Sequence, residues 1–283
     1  MKLIGLMLVR SEDWILEASL DAARRWVDDV VVTLHNCTDN SLNIASRIGF
    51  DRGSIHADVL DSVSWDEMHV RQQQLEAARF LGATHIAIID ADEILTANLL
   101  PNIRGEFEKL RPAECLEVPM LAMRALAQYQ DDDSVWARAW LTLGFADAPE
   151  LTWKPAGDGY QHHHRAPYGI VGTRRYLGDK SQGGAMHLQF ANKRRLLAKH
   201  VLYRMVDFLR WPGRETIPQL NIKYDAALEA PKHLGYAPES WWAGYNKGAI
   251  RLDGVPWQEA EIARLVKEHG REKFAGLDLK GLA

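Results

Sequence analysis

The feature that most constrains the fold is the alternation of apolar runs with helix-like segments over the first 90 residues. The run LIGLMLV at 3–9 is continuously apolar, which is typical of a strand buried on both faces of a parallel sheet. Strands are predicted at 3–9, 29–34, 55–60 and 85–90, with helices at 14–26, 41–48 and 67–81 between them. Strands and helices that alternate at this spacing predict a mostly parallel sheet covered by helices on both faces.

After residue 101 the predicted strands and helices no longer alternate regularly. A helix at 102–110 and a strand at 114–120 are predicted first, then a Trp-, Gly- and Pro-rich tract at 136–184 without a clean period, and helices at 193–211 and 257–273. Gly270 either caps or kinks the last helix. We expect the tract at 136–184 to hold short strands and loops. Irregular segments held by a rigid scaffold tend to carry binding residues. We therefore expect one continuous domain with two halves, 1–120 and 121–283, the second lying over the mouth of the sheet.

Composition excludes several classes of protein. The 283 residues are 47% hydrophobic and 25% charged, a globular balance that excludes disorder, collagen and coiled coil. The net charge of -4 is uneven: residues 1–120 carry 11 Lys and Arg against 20 Asp and Glu, and residues 121–283 carry 23 against 18. This split suits an anionic ligand held against a basic wall better than general nucleic-acid binding.

The cysteines and the apolar runs bear on the compartment. The two cysteines have no zinc-like spacing, which favours a reducing compartment without disulfides. The apolar run at 3–9 is too short for a signal sequence, and no run reaches the length of a membrane span. The sequence therefore predicts a cytoplasmic protein.

The strongest chemical signal is Asp90-Ala91-Asp92, directly after the apolar strand at 85–90. Two carboxylates at a strand end can converge on one divalent cation such as Mg²⁺ or Mn²⁺, which in turn neutralises a diphosphate. The alternative is a helix N-terminus in which Asp90 caps and the following acids complement the helix dipole. The spacing alone leaves both interpretations open.

Two other motifs follow predicted strand ends or open a helix. In the stretch 35–41, Asp39 can accept hydrogen bonds from ribose or base donors, or it can form an Asx turn and cap the next helix. Arg71 lies one turn into the helix that begins near Glu67, where it can meet a phosphate or pair with Glu67 on a solvated face.

Taken together and in order, these motifs resemble those of glycosyltransferases of the GT-A fold, specifically the family 2-like group. The resemblance covers roughly residues 3–100 and is carried by LMLVRSEDWI, HNCTDNS, WDEMHVRQ and IAIIDADEIL. It implies a GT-A type, Rossmann-like α/β fold with a helical and irregular C-terminal acceptor region. It further implies a nucleoside-diphosphate-sugar donor, a divalent cation held by Asp92 with Asp90 nearer the ribose or a metal-bound water, and inverting transfer to an acceptor hydroxyl.

The resemblance also directs attention to a histidine well downstream of the Asp-x-Asp motif. His187, in GGAMHLQ, is a plausible Mn²⁺ ligand, and the glycines before it would allow close approach of a diphosphate. The predicted metal set is therefore Asp90, Asp92 and His187. The alternative is a histidine in a small strand after a Gly-Gly turn.

The irregular tract contains the remaining candidates. Of the cluster 162–165, His164 and Arg165 are predicted to face the donor phosphates or the acceptor, although an exposed cluster without a role is the alternative. An inverting transfer needs a general base, and Asp158 is preferred over Asp147 and Glu150 because it lies between two glycines near the histidines. A simple Gly-Asp-Gly turn is the competing interpretation.

The sequence departs from the family pattern in two places. Ser11 stands where Asn is usual, and the acid that often reads the nucleobase is replaced by LHN at 34–36, so a UDP-sugar is only slightly preferred. Two other functions stay open: a nucleotidyltransferase of similar fold, which would usually carry a Gly-rich basic loop in place of RSED at 10–13, and a non-catalytic nucleotide-sugar binding module.

The acceptor is undetermined by the sequence: a saccharide, a lipid-linked saccharide, a protein or a modified nucleic acid all remain open. The basic helix 193–211 can contact an anionic membrane surface, or its charges can form an ordinary solvated face. Seven of the ten tryptophans follow position 135. They can stack on sugar faces in an acceptor site or simply fill a core, the candidates being Trp136, Trp140, Trp153, Trp211, Trp241 and Trp242.

Overall fold

The computed structural model describes residues 1–52, 55–60, 66–153 and 165–283, without the side chains of 50–52. The strands within these ranges are β1 (Leu3–Val9), β2 (Asp29–His35), β3 (Ile55–Leu60), β4 (His85–Ile88), β5 (Glu93–Leu95), β6 (Glu114–Ala125), β7 (Gln128–Gln130), β8 (Trp140–Ala146), β9 (Gly172–Arg175), β10 (Ala185–His187) and β11 (Leu234–Tyr236). The helices are α1 (Leu16–Ala23), α2 (Ser41–Arg52), α3 (Glu67–Phe80), α4 (Leu100–Glu108), α5 (Lys193–Arg210), α6 (Ile217–Asp225) and α7 (Trp257–His269). Across the described ranges, none of these helices has the length and apolarity to cross a bilayer.

The central sheet has the strand order β3-β2-β1-β4-β8-β6-β7-β11. Its first four strands are parallel, with Gly5 of β1 opposite Val30 of β2 and Ala87 of β4. β8 then runs antiparallel to both β4 and β6. The predicted α/β fold, with a mostly parallel sheet flanked by helices, is confirmed.

The apolar run of β1 explains why the sheet is covered on both faces. All seven of its residues are buried, and successive side chains point to opposite faces. Leu3, Met7 and Val9 pack in one core cluster with residues of α1, α2 and α4. Ile4 and Leu6 pack in another cluster, with residues of α3. A continuous apolar run is therefore required at this position.

The irregular tract, in which the sequence predicts short strands without placing them, contains the seven-residue strand β8. β8 inserts between β4 and β6, where a Cβ on Gly144 would stand 2.1 Å from the carbonyl oxygen of Ile86 and 2.7 Å from the Phe107 ring. Glycine is unfavourable in strand interiors, so the local sequence gives little strand signal. The close approach of β8 to its neighbours nevertheless depends on that glycine.

The C-terminal helices form a layer of their own. α5 packs against α6 and α7 around a cluster that includes Val201, Met205 and Ile262. α7 ends at His269, because Gly270 takes a φ of 79° and a short 3-10 turn follows. The prediction of a helix to 273 was therefore too long, and Gly270 ends the helix. Residue 120, the predicted boundary between the halves, lies inside β6.

Candidate functional site

A cavity of about 850 Å³ opens at the carboxyl ends of β1 and β4, under the C-terminal helices. Parallel α/β sheets place their ligands at this edge. The walls come from the segment after β1, the turn after β4, the end of β10, and helices α5 and α7. Among the lining residues are Arg10, Glu12, Arg71, Asp90, Asp92, Glu93, Trp136, Arg165, His187, Gln189, Lys199, Tyr203 and Trp257.

Asp90 is held by two arginines. Arg71, on α3 and almost fully buried, donates from Nη2 to Asp90 Oδ1 at 2.7 Å. Arg165 donates from Nη1 to Asp90 Oδ2 at 2.8 Å. Each carboxylate oxygen of Asp90 therefore accepts a charge-assisted hydrogen bond from a guanidinium, an arrangement that fixes the carboxylate firmly.

Glu93 shares Arg165 with Asp90. The Arg165 guanidinium donates to Glu93 Oε1 at 3.0 Å and to Oε2 at 2.5 Å, and also to the carbonyl oxygens of Ile88 and Thr142. Burial by itself lowers the pKa of Arg165, but Glu93 and Asp90 raise that pKa overall, so the guanidinium stays charged. Arg165 thus ties the turn after β4 to β8.

Asp92 and His187 meet at the floor of the cavity. Asp92 Oδ1 lies 3.3 Å from His187 Nε2, and both side chains are nearly buried. β10 pairs antiparallel with β5, which places His187 opposite Glu93 and next to the turn that carries Asp92. Burial raises the pKa of Asp92, but His187 and Lys199 lower it overall to about 2. Burial lowers the pKa of His187, but Asp92 raises it overall.

The spacing of Asp92 and His187 suits two ligands of one divalent cation. Ligand atoms about 2.1 Å from an octahedral ion stand about 3 Å apart at adjacent positions. In the described part of the chain, no group of three His, Cys, Asp or Glu side chains is arranged to hold a metal. The described residues therefore supply no third protein ligand. Asp90 faces Arg71 and Arg165 instead. The pair therefore fits a cation that completes its coordination with ligand oxygens and water.

The other predicted residues lie apart from this floor. Asp39 accepts backbone hydrogen bonds from Asp13 at 2.8 Å and from Ser41 at 3.0 Å, which joins the segment after β1 to the start of α2. Asp158 and His164 lie outside the described residues, as do the other two histidines of the cluster. Their assignments as base and donor contact remain predictions.

The two glycines before His187 have a packing role, and the predicted approach of a diphosphate to them stays a prediction. A Cβ on Gly184 would stand 2.1 Å from the Pro119 carbonyl oxygen, and a Cβ on Gly183 would stand 2.5 Å from Thr96 Oγ1. Thr96 exchanges hydrogen bonds with Gly184, since Gly184 N donates to Thr96 Oγ1 and Thr96 N donates to the Gly184 carbonyl. The glycines therefore allow β10 to approach β6 and Thr96.

Replacing Gly184 by Ala is expected to lower the free energy of unfolding by about 3 kcal/mol, because the new methyl group collides with backbone. Urea denaturation measures this change. Gly105→Ala is the matched control, since nothing lies within 4 Å of a Cβ at that position of α4. The control should be neutral or slightly stabilising. Equal stability of the Gly184→Ala protein and the wild type would contradict the close contact.

The described tryptophans have different surroundings, some in the core and some at the cavity. Trp153, Trp241 and Trp242 are at most 4% exposed, and the Trp153 ring centroid lies 5.8 Å from that of Phe145 inside the core. These three fill space and cannot stack on a ligand without unfolding part of the chain. Trp136 and Trp257, by contrast, line the cavity. Trp140 and Trp211 belong to neither group: both are partly exposed, and Arg175 stacks 4.8 Å from the Trp140 ring centroid and Arg210 5.5 Å from that of Trp211.

The basic side chains of α5 are divided between inward and exposed positions. Arg195 is buried and pairs with Glu12 at 2.7 Å, and it also donates to the Ser11 carbonyl at 2.7 Å. Arg204 is fully buried and pairs with Asp225 at 2.7 Å. Lys199 lines the cavity, and Arg194 pairs with Glu259 on the surface. The charges of α5 therefore hold the helix against the sheet edge and α6 rather than forming a single exposed stripe.

Sequence reasoning missed three residues of this site: Glu12, Glu93 and Lys199. Glu12 and Glu93 stand beside motif residues, where the sequence predicts at most a helix N-terminus, and the partners of their buried ion pairs come from far along the chain. Lys199 was counted only as one charge of a basic helix. Its spacing of four residues from both Arg195 and Tyr203 was the available signal, because such residues share one helix face.

No protein-family model matches the chain, and no curated protein matches it. Among solved structures, TarS 1-349 of S. aureus aligns over 98% of this chain and 83% of its own length, at 10% identity and a TM-score of 0.43. Glucosyl-3-phosphoglycerate synthase of Mycobacterium tuberculosis, in complex with Mn²⁺, UDP and glucosyl-3-phosphoglycerate, aligns over 42% of this chain and 43% of its own, at 17% identity and a TM-score of 0.31.

A 4-diphosphocytidyl-2C-methyl-D-erythritol synthase aligns over 53% of this chain and 74% of its own, at 17% identity and a TM-score of 0.33. The alignments with UDP-bound TarS and with the mycobacterial synthase span only about two fifths of those proteins, 38% and 43%. All of these TM-scores are below 0.5. Any functional conclusion must therefore rest on the residues of the site.

Proposed function

We propose that this chain is a glycosyltransferase that takes a sugar from a nucleoside-diphosphate donor and uses a divalent cation, Mn²⁺ or Mg²⁺, bound by Asp92 and His187. The observation that carries the proposal is the 3.3 Å approach of Asp92 and His187 at the floor of a large cavity. The ordered motifs that resemble the GT-A family 2-like group support it. The three parts of the motif set that line the cavity are the segment after β1, the start of α3 and the turn after β4.

Such a site has to stabilise the negative charge of the nucleoside diphosphate as it leaves the sugar. A bound cation supplies positive charge next to the diphosphate. The chain itself prepares the floor: Arg71 and Arg165 hold the Asp90 carboxylate, and the β5–β10 pairing fixes His187 beside Asp92. Preorganised charges of this kind act without rearrangement during the reaction.

The acceptor would enter from the side of the C-terminal helices. That wall carries Trp136 and Trp257 together with Tyr203 of α5, and aromatic faces suit the apolar faces of sugars. The division of labour that we propose is donor binding mainly by residues 1–120, completed by His187 at the cation, and acceptor binding by other residues of 121–283. Inversion, with Asp158 as the general base, remains part of the proposal.

A donor screen tests the function. We expect the purified protein to hydrolyse at least one nucleotide sugar slowly in Mn²⁺ or Mg²⁺, with a UDP-sugar tried first, and to lose this activity in EDTA. Released nucleoside diphosphate and free sugar are measured, so that no acceptor is needed. Pyrophosphate released from a nucleoside triphosphate and a sugar phosphate would instead identify a nucleotidyltransferase. Binding of a donor without any turnover would identify a binding module.

A further inference from the structure

The inward face of α5 presents a lysine to the cavity. Asn192 caps the helix by accepting from Arg195 N at 3.0 Å, and Arg195, Lys199 and Tyr203 then follow at intervals of four residues. Residues at this spacing lie above one another on one helix face. Because Arg195 is tied to Glu12 and Ser11, the position of Lys199 one turn further along is fixed relative to the sheet edge.

The Lys199 ammonium group has polar contacts but no carboxylate partner. Its Nζ donates to Gln189 Oε1 at 2.6 Å and lies 5.7 Å from the centroid of the Tyr203 ring. Among the described residues, no Asp or Glu oxygen lies within salt-bridge distance of it. Arg71 and Arg165 of the same cavity differ in this respect, since both are already paired with carboxylates. Lys199 therefore keeps hydrogen-bonding capacity for an anion.

Lys199 stays positively charged at neutral pH. Burial lowers the pKa of Lys199, but Tyr203, Asp92 and Glu12 raise that pKa overall, so the ammonium form persists at neutral pH. Gln189 orients the group and comes two residues after His187 in the chain. The ammonium group therefore belongs to the same small region of the cavity as Asp92 and His187.

We propose that Lys199 is a donor-binding residue that contacts a phosphate oxygen of the nucleoside diphosphate, a role supplied by the C-terminal helical layer to the donor site of the sheet. This inference rests on the proposed function. Helix α5 then binds the donor as well as forming one wall of the cavity. A lysine is suited to the role, because its ammonium group is a compact charge with three donors.

The test compares Lys199→Met and Lys199→Arg with the wild type and with Lys193→Met, an exposed position on the same helix. Calorimetry measures the binding of Mn²⁺ alone, and then of UDP, GDP, ADP and CDP in saturating Mn²⁺. We expect Lys199→Met to weaken the best-bound nucleoside diphosphate about tenfold or more. Its affinity for Mn²⁺ alone should be unchanged or higher, because a positive charge near Asp92 has been removed. Lys199→Arg should retain part of the affinity, and Lys193→Met all of it.

The outcomes separate this inference from the function on which it rests. Nucleoside-diphosphate affinity within twofold of the wild type in Lys199→Met would overturn the inference and leave the proposed function standing. A parallel loss of Mn²⁺ and nucleotide binding, together with a lower unfolding temperature, would show a structural role and overturn it as well. If the wild type binds none of the four nucleotides, the proposed function itself fails and the inference fails with it.

Discussion

Asp92→Asn is expected to reduce donor hydrolysis at least about 100-fold and to abolish the dependence of nucleotide binding on Mn²⁺. The substitution keeps the shape of the side chain but removes the negative charge that, with His187, would hold the cation. Hydrolysis of the best donor found in the screen gives the first measurement. Calorimetric titration with Mn²⁺ gives the second.

Asp133→Asn is the matched control for Asp92→Asn, because Asp133 is exposed and does not line the cavity. It should behave as the wild type in both measurements. The unfolding temperature of Asp92→Asn shows whether the fold is kept. If a folded Asp92→Asn protein retains wild-type hydrolysis and the same response to Mn²⁺, the assignment of Asp92 as a metal ligand is wrong.

Arg165→Met is expected to lower the free energy of unfolding by about 3 kcal/mol, because it leaves the buried Glu93 without its partner and removes one of the two partners of Asp90. Urea denaturation measures this loss. Lys at the same position should be intermediate, since it restores the charge without the planar pair of donors. We also expect lower donor hydrolysis, since Asp90 is then held by Arg71 alone.

A double-mutant cycle separates the pairing of Arg165 with Glu93 from simple loss of packing. Glu93→Gln removes the carboxylate charge that Arg165 balances, so the double variant Arg165→Met/Glu93→Gln should lose less stability than the two single variants summed. Strict additivity would mean that the two side chains do not interact, contrary to the geometry. Arg175→Met, which breaks an exposed pair with Glu117, should change stability by well under about 1 kcal/mol.

Much of the N-terminal part of the fold was predictable because its signals are local. The strand at 55–60 and the strand at 3–9 were predicted with the bounds that the structure has. β4 ends at Ile88, two residues earlier than predicted, because the chain turns at Asp90, where the Glu93 amide donates back to the Asp90 carbonyl at 3.0 Å. Each of these strands and helices buries an apolar face against the core, so its hydrophobic pattern can be read from the sequence of that segment alone.

The short strands were not predictable in the same way. β5 and β10 have three residues each, too few for a period, and they exist because they pair with each other across about 90 residues of sequence. β8 has seven residues, but its Gly144 is unfavourable in a strand and is required by the close packing of Ile86 and Phe107. In each case long-range contacts outweigh local preference.

The sequence by itself determined that apolar strands alternate with helices, and that two carboxylates follow the strand ending near residue 88, because burial on both faces demands a continuous apolar run. Only the tertiary structure decided which groups those carboxylates meet. It turned Asp90 toward Arg71 and Arg165, brought His187 to Asp92 through β10, and placed Lys199 over the cavity. These partners come from distant segments, and the ion pairs and short strand ladders that join them leave no periodic trace along the chain.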